Sequence, residues 1–129
     1  MGCCKLFLAV FLGFLSINLI AQKHDYHWIT GYGSNVGNPD FGLSILQFED
    51  FGKVDTFSKK DSSFDMDFFN VSMSDSNGSL QFYCNGVGLN NHLHQLMENG
   101  DGMSGFPGST GEDGGYAMTQ GGISVPWPG

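Results

Sequence analysis

Arginine is absent from these 129 residues, and five lysines stand against thirteen Asp and Glu, a net charge of −8. Without guanidinium groups the chain has no bidentate reader of phosphate or guanine. Its acidic surface also repels polyanions. Nucleic acid is excluded as a partner, and so is adhesion to an anionic lipid surface.

Cysteine is scarce: there are three, and two of them, Cys3 and Cys4, sit at the very start. A chain that keeps only Cys84 has no internal disulfide and is no disulfide-stapled mini-protein. A convincing amphipathic helix is also lacking beyond residue 22. "NNHLHQLMENG" mixes its periodicities and is too short to stand alone as a helix.

The one long apolar run lies at the N-terminus. "MGCCK" is a short basic n-region, "LFLAVFLGFLSINLI" an apolar core of about 15 residues, and Ala21 a small residue at which to cut. Residues 1–21 therefore read as a signal peptide, cleaved near Ala21, that sends the chain to the exterior or the outer cell surface. Membrane contact is expected only through that segment. The remainder keeps four lysines and thirteen acids, a charge of −9.

From residue 22 to 97 the sequence reads as an antiparallel β-meander. "GLSILQFED" and "KVDTFSKKD" are rich in apolar and β-branched residues and meet at a Phe51-Gly52 turn. "DFFNVSMS" and "SLQFYCN" form a second pair around Asn77-Gly78. Four or five such strands leave a sheet with an uncovered face. Residues 98–129 form a Gly-rich loop ending in "ISV", the start of a further strand that Pro126 cuts short.

"DSNGSLQFYCNG" (Asp75–Gly86) poses a choice of chemistry. As an EF-hand loop it fails, because Met73 and Cys84 fall where a carboxylate is required. As a two-residue type I′ hairpin it sets Met73 opposite Phe82 and Val71 opposite Cys84. Phe69, Val71, Met73, Leu80, Phe82 and Cys84 then share one apolar face, with Tyr83 on the other. The rival is a three-residue loop in which Asp75 opens a type I turn and Gly78 is left-handed, which sets Ser72 opposite Phe82. The matching of apolar residues favours the first. Either way Cys84 is a core residue rather than a nucleophile.

Other constellations are weaker. His92 and His94 of "HLH" would share one side of an extended segment as a metal pair, and "HDYH" (His24, His27) belongs to a mobile terminus. Glu98, Asp101, Glu112 and Asp113, set among glycines, are the best candidates for a bound cation, with calcium the ion that fits. Asp65 and Asp67, or Glu98 and Asp101, are the acids that an extracellular carbohydrate-active hydrolase would use. "GFPGSTG" has Pro107 where a nucleophile elbow needs glycine. "NVS" and "NGS" are formal glycosylation sequons. No catalytic constellation stands out, and a non-enzymatic module is expected.

Several of these motifs occur together in a recognisable order: Trp28 with Gly31 and Gly33, "SDSNGSLQFYCNG", "HQLMENGDG" and "TQGGISVPWPG". In this they resemble the N-terminal blade region of exported, propeller-like surface proteins of gliding bacteria, substrates of type IX secretion. The resemblance covers Trp28 to Gly129. It implies an incomplete β-propeller blade, an adhesion or gliding-motility role, further blades or a surface partner, and no catalytic residues. Cys84 stands where that family usually has a small polar residue. The family also runs past the Pro-Gly into an aromatic strand, so a truncated chain is expected. A calcium-dependent binding module is the remaining alternative.

Overall fold

The computed structural model describes residues 23–31, 42–59, 62, 64–103, 115, 117 and 121–126. Residues 1–21, read as a signal peptide, and Glu112 and Asp113, read as cation ligands, lie outside them. Among the described residues the protein is all-β, with two antiparallel three-stranded sheets and no α-helix.

The first sheet is a meander of β1 (His27–Gly31), β2 (Leu43–Phe48) and β3 (Val54–Lys59). Ile29 stands opposite Ile45, and Gly31 opposite Leu43. Alternation sends these residues to one face and Trp28, Leu46 and Phe48 to the other. The β2–β3 connection closes with the Glu49 N–H on the Lys53 carbonyl at 2.8 Å. It turns at Phe51 and Gly52, where the sequence placed a turn, and both are left-handed at φ 66° and 79°.

The second sheet is β4 (Val71–Ser74), β5 (Leu80–Cys84) and β6 (Leu89–Asn91). Its hairpin corrects the sequence reading in one respect and bears it out in another. The turn is the three-residue loop, not type I′. The Asp75 carbonyl accepts from the Gly78 N–H at 3.0 Å, and the Asp75 N–H donates to the Ser79 carbonyl at 2.9 Å. Gly78 sits at φ 89°. Ser74 then faces Leu80, but a bulge follows and Met73 still faces Phe82, with Val71 opposite Cys84. Gln81 is the extra residue that absorbs the slip.

The bulge moves Leu80 to the other face, and the packing of the first sheet decides which face is inside. Leu80 leaves the side of Phe82 and joins that of Tyr83. Tyr83, expected on the polar side, is fully buried at 0% exposure. It belongs to the cluster of Ile29, Leu43, Phe64 and Met66, with Ile45 and Leu80 packed alongside. Both sheets contribute to that cluster, so they share one core. A hydrophobic pattern along one strand cannot report which face the neighbouring sheet will cover.

The sheets approach each other at β1 and β4. The Ser74 N–H donates to the His24 carbonyl at 2.9 Å, and Gly31 N–H to the Met66 carbonyl at 3.2 Å. The connecting segment Phe64–Met66 is buried at three successive positions, which no single strand face would give. Asn85, wholly buried, donates from Nδ2 to the Asp65 carbonyl at 2.8 Å and accepts the Val87 and Gly88 N–H groups on Oδ1.

The far edge of β6 is not bare. The Leu89 N–H donates to the Gly100 carbonyl at 2.7 Å, and the Met97 N–H donates to the Leu89 carbonyl at 2.9 Å. The Met103 N–H reaches the Val87 carbonyl at 2.9 Å. Backbone pairing therefore runs through residue 98 as far as 103. Residues 121–126, where "ISV" was expected as a strand, lie outside any strand.

Candidate functional site

The outer face of the first sheet carries Trp28, Leu46, Phe48 and Val54, an apolar row over which no second sheet lies among the described residues. Trp28 is 57% exposed and Val54 43%. Trp28 and Phe48 meet edge to face at 4.9 Å, which fixes the indole as a ridge.

Beside that ridge runs a groove of about 530 Å³. One wall is Trp28, Thr30 and Leu46; the other is the start of β4 with Ile123. Gly122 makes this closeness possible, because a Cβ there would collide with the Phe69 ring and Val71. Ser124 Oγ donates to the Ser72 carbonyl at 2.9 Å and anchors the 121–126 segment along β4. Ile123 and Val125 are left 85% and 74% exposed. Among the described residues no charged side chain lines the groove, on a chain of net charge −8. Such a surface offers apolar contact area and a few neutral hydrogen-bond partners.

The residues singled out in the sequence are dispersed. Asp65 is buried against the Asn85 turn, whereas Asp67 is half-buried. Glu98 and Asp101 are exposed on the segment that edges β6, and Asp101 Oδ1 accepts the Gly102 N–H at 2.9 Å. No group of three His, Cys, Asp or Glu able to hold a metal occurs among the described residues. The "HLH" pair is split. His94 turns left-handed at φ 62° and places Nδ1 3.1 Å from the Tyr83 hydroxyl, while His92 is exposed. The extended geometry assumed for a metal pair is lost because Asn91 caps a turn there, its Oδ1 accepting the Leu93 and Gln95 N–H groups.

Nor is the "HDYH" segment a loose terminus. His24 donates from Nδ1 to the Ser74 carbonyl at 2.7 Å, and His27 Nδ1 meets Ser74 Oγ at 3.0 Å. Burial holds the His27 imidazole below its usual range, partly offset by a hydrogen bond with Gln47. Cys84 is 6% exposed. Burial pushes its thiol up against the weaker opposing effect of the Gly86 N–H, so it is an inert core group as expected.

Sequence reasoning missed the polar cluster inside the second sheet. The Tyr83 hydroxyl accepts from Asn90 Nδ2 at 3.2 Å and bonds His94 Nδ1. Asn90 Oδ1 is buried without a partner. The expected register puts Tyr83 on the face away from Phe82, as observed, but only the packing of the first sheet makes that face the inside.

Among the described residues no helix is long and apolar enough to cross a membrane. No family model matches this chain, and no curated protein or solved structure proves similar to it.

Proposed function

We propose that this chain is an exported, non-enzymatic β module that works by docking, through the Trp28 groove, against further β structure: an adjoining propeller-like blade or a surface partner. The single observation behind this is the apolar row of exposed Trp28 and half-buried Leu46 and Phe48, with a groove beside it that no charged residue among those described lines. Isolated exposed apolar residues are ordinary, but a continuous row at the mouth of a groove is the usual mark of an interface. An all-β, antiparallel fold agrees with the blade-like reading, and the short apolar N-terminal run ahead of Ala21 supports export.

The chain from Gln22 should melt broadly when studied alone in a calorimeter. Trp28→Ser should leave that melt nearly unchanged, because an indole that is mostly exposed contributes little to the isolated fold. A sharp, cooperative transition from a monomer would sink the docking reading. Export is checked separately: mass spectrometry of the chain recovered outside the cell should find its N-terminus at Gln22. Recovery from the cytoplasm with residues 1–21 intact would remove it.

A further inference from the structure

The tips of the two hairpins come together on a second concave surface. The β2–β3 turn brings Glu49, Asp50 and Phe51, and the β4–β5 turn brings Asn77 and Gly78. Tyr26 and Lys23 close the space between them. The resulting cleft is about 350 Å³ and shares no lining residue with the Trp28 groove.

Its interior is held in place before any ligand arrives. The Tyr26 ring rests on the Gly78 backbone, where a Cβ would come within 2.8 Å of ring Cδ2. The Tyr26 hydroxyl donates to Asp50 Oδ1 at 2.7 Å, and Lys23 Nζ donates to Asp50 Oδ2 at 3.0 Å. The same ammonium lies 4.8 Å from the centre of the Tyr26 ring. Glu49 is paired with Lys53 at 3.1 Å. Lys53 is shared with Asp55 at 2.8 Å, so two lysines stand against three acids; each lining acid has an ammonium partner, and the slight acidic excess turns anionic ligands away.

Phe51 is the anomalous residue. The residue is 108% exposed, so nothing among the described residues covers it. Its backbone lies at φ 66°, a region that glycine or asparagine would occupy with less strain. Folding alone would favour either of those residues at this tip. An aromatic placed here at a double cost points to a partner for its ring.

We propose that this cleft binds a neutral saccharide. The Phe51 ring takes the apolar face of a sugar, while Asp50, Asn77, Gln47 and Glu49 supply acceptors and donors for its hydroxyls. Insertion into a membrane fits less well, because the same tip would carry Asp50 and Glu49 into the headgroups.

The test is native affinity electrophoresis of the full chain in gels containing laminarin, xyloglucan, galactomannan or hydroxyethyl cellulose. Its acidity carries it toward the anode without help. At least one polymer should retard it. Phe51→Ala should weaken that retardation about tenfold, equivalent to about 1.4 kcal/mol of aromatic contact. Phe51→Trp should retain it, and so should Phe68→Ala, which removes an exposed ring elsewhere. Phe51→Gly suits the left-handed backbone, so its loss of retardation cannot be ascribed to misfolding. The proposal is overturned if no polymer retards the chain, or if Phe51→Ala is retarded as strongly as the parent. Phe51-dependent sedimentation with phosphatidylcholine vesicles, without retardation in any gel, overturns it in favour of a membrane contact.

Discussion

Met73 faces Phe82 across β4 and β5, while the next residue, Ser74, faces Leu80. The two pairings are compatible only because Gln81 is an extra residue in β5. The Asp75 turn and the apolar pairing demand different registers, and the bulge satisfies both.

Asp75 is central to that turn. Its Oδ1 accepts the Asn77 N–H at 2.8 Å and the Ser79 N–H at 2.9 Å. These backbone groups, Ser79's foremost, hold its carboxyl below the usual carboxylate range against a smaller effect of burial. A carboxyl whose folded pKa is depressed stabilises the fold above its unfolded pKa, near 4. That stabilisation is lost as pH falls through the lower folded value. Asp75→Ala should therefore melt below the parent at pH 7, and the gap should close in acid. Melting curves for both between pH 7 and pH 2 check this; a gap independent of pH counts against it.

Gly78 has a left-handed backbone and no room for a Cβ. Gly78→Ala meets both the strained φ of 89° and the Tyr26 ring. A loss of about 2 kcal/mol is expected, read from urea midpoints. Gly52→Ala shares the positive φ but has open space around it, so it should cost less. Equal losses would mean that the contact with Tyr26 contributes nothing.

Tyr83→Phe keeps the ring against Phe64, which it meets edge to face at 5.5 Å. It removes the hydroxyl that Asn90 and His94 share. Leaving buried Asn90 with no partner at all should cost about 1–3 kcal/mol. In a double-mutant cycle with Asn90→Ala the two losses should be clearly less than additive. Strict additivity would show that the two side chains do not act together.

Cys84 should resist alkylation. With its thiol buried and its pKa raised, Cys84 in the chain from Gln22, which lacks Cys3 and Cys4, should stay unlabelled by iodoacetamide at pH 8 for as long as the urea-unfolded chain needs for complete reaction. Equal rates in the two states would place Cys84 on an accessible surface.

The strands were legible where local chemistry is enough. Leu43–Phe48 and Val54–Lys59 are β-branched and aromatic runs around a Gly turn. β1 and β6 were not, since His27–Gly31 and Leu89–Asn91 are short and become strands only by pairing with a neighbour. The candidate groove was legible as an expectation of uncovered apolar surface, but its residues were not. Trp28 and Ile123 are far apart in the chain and meet through the approach of β1 to β4. Phe51 was read only as part of a turn; its strain and exposure are properties of the folded backbone.

By itself the sequence determined that the described fold would be β, that Asn77-Gly78 would turn, and that Met73 would meet Phe82. Each follows from residues close along the chain, through propensity, turn geometry or apolar pairing. Which face of that hairpin is the inside was decided only by the tertiary structure. Tyr83 is buried and Leu80 is switched to its side because the first sheet, with Ile29 and Leu43, packs there. Burial is settled by what covers a face, and no strand carries that information in its own alternation.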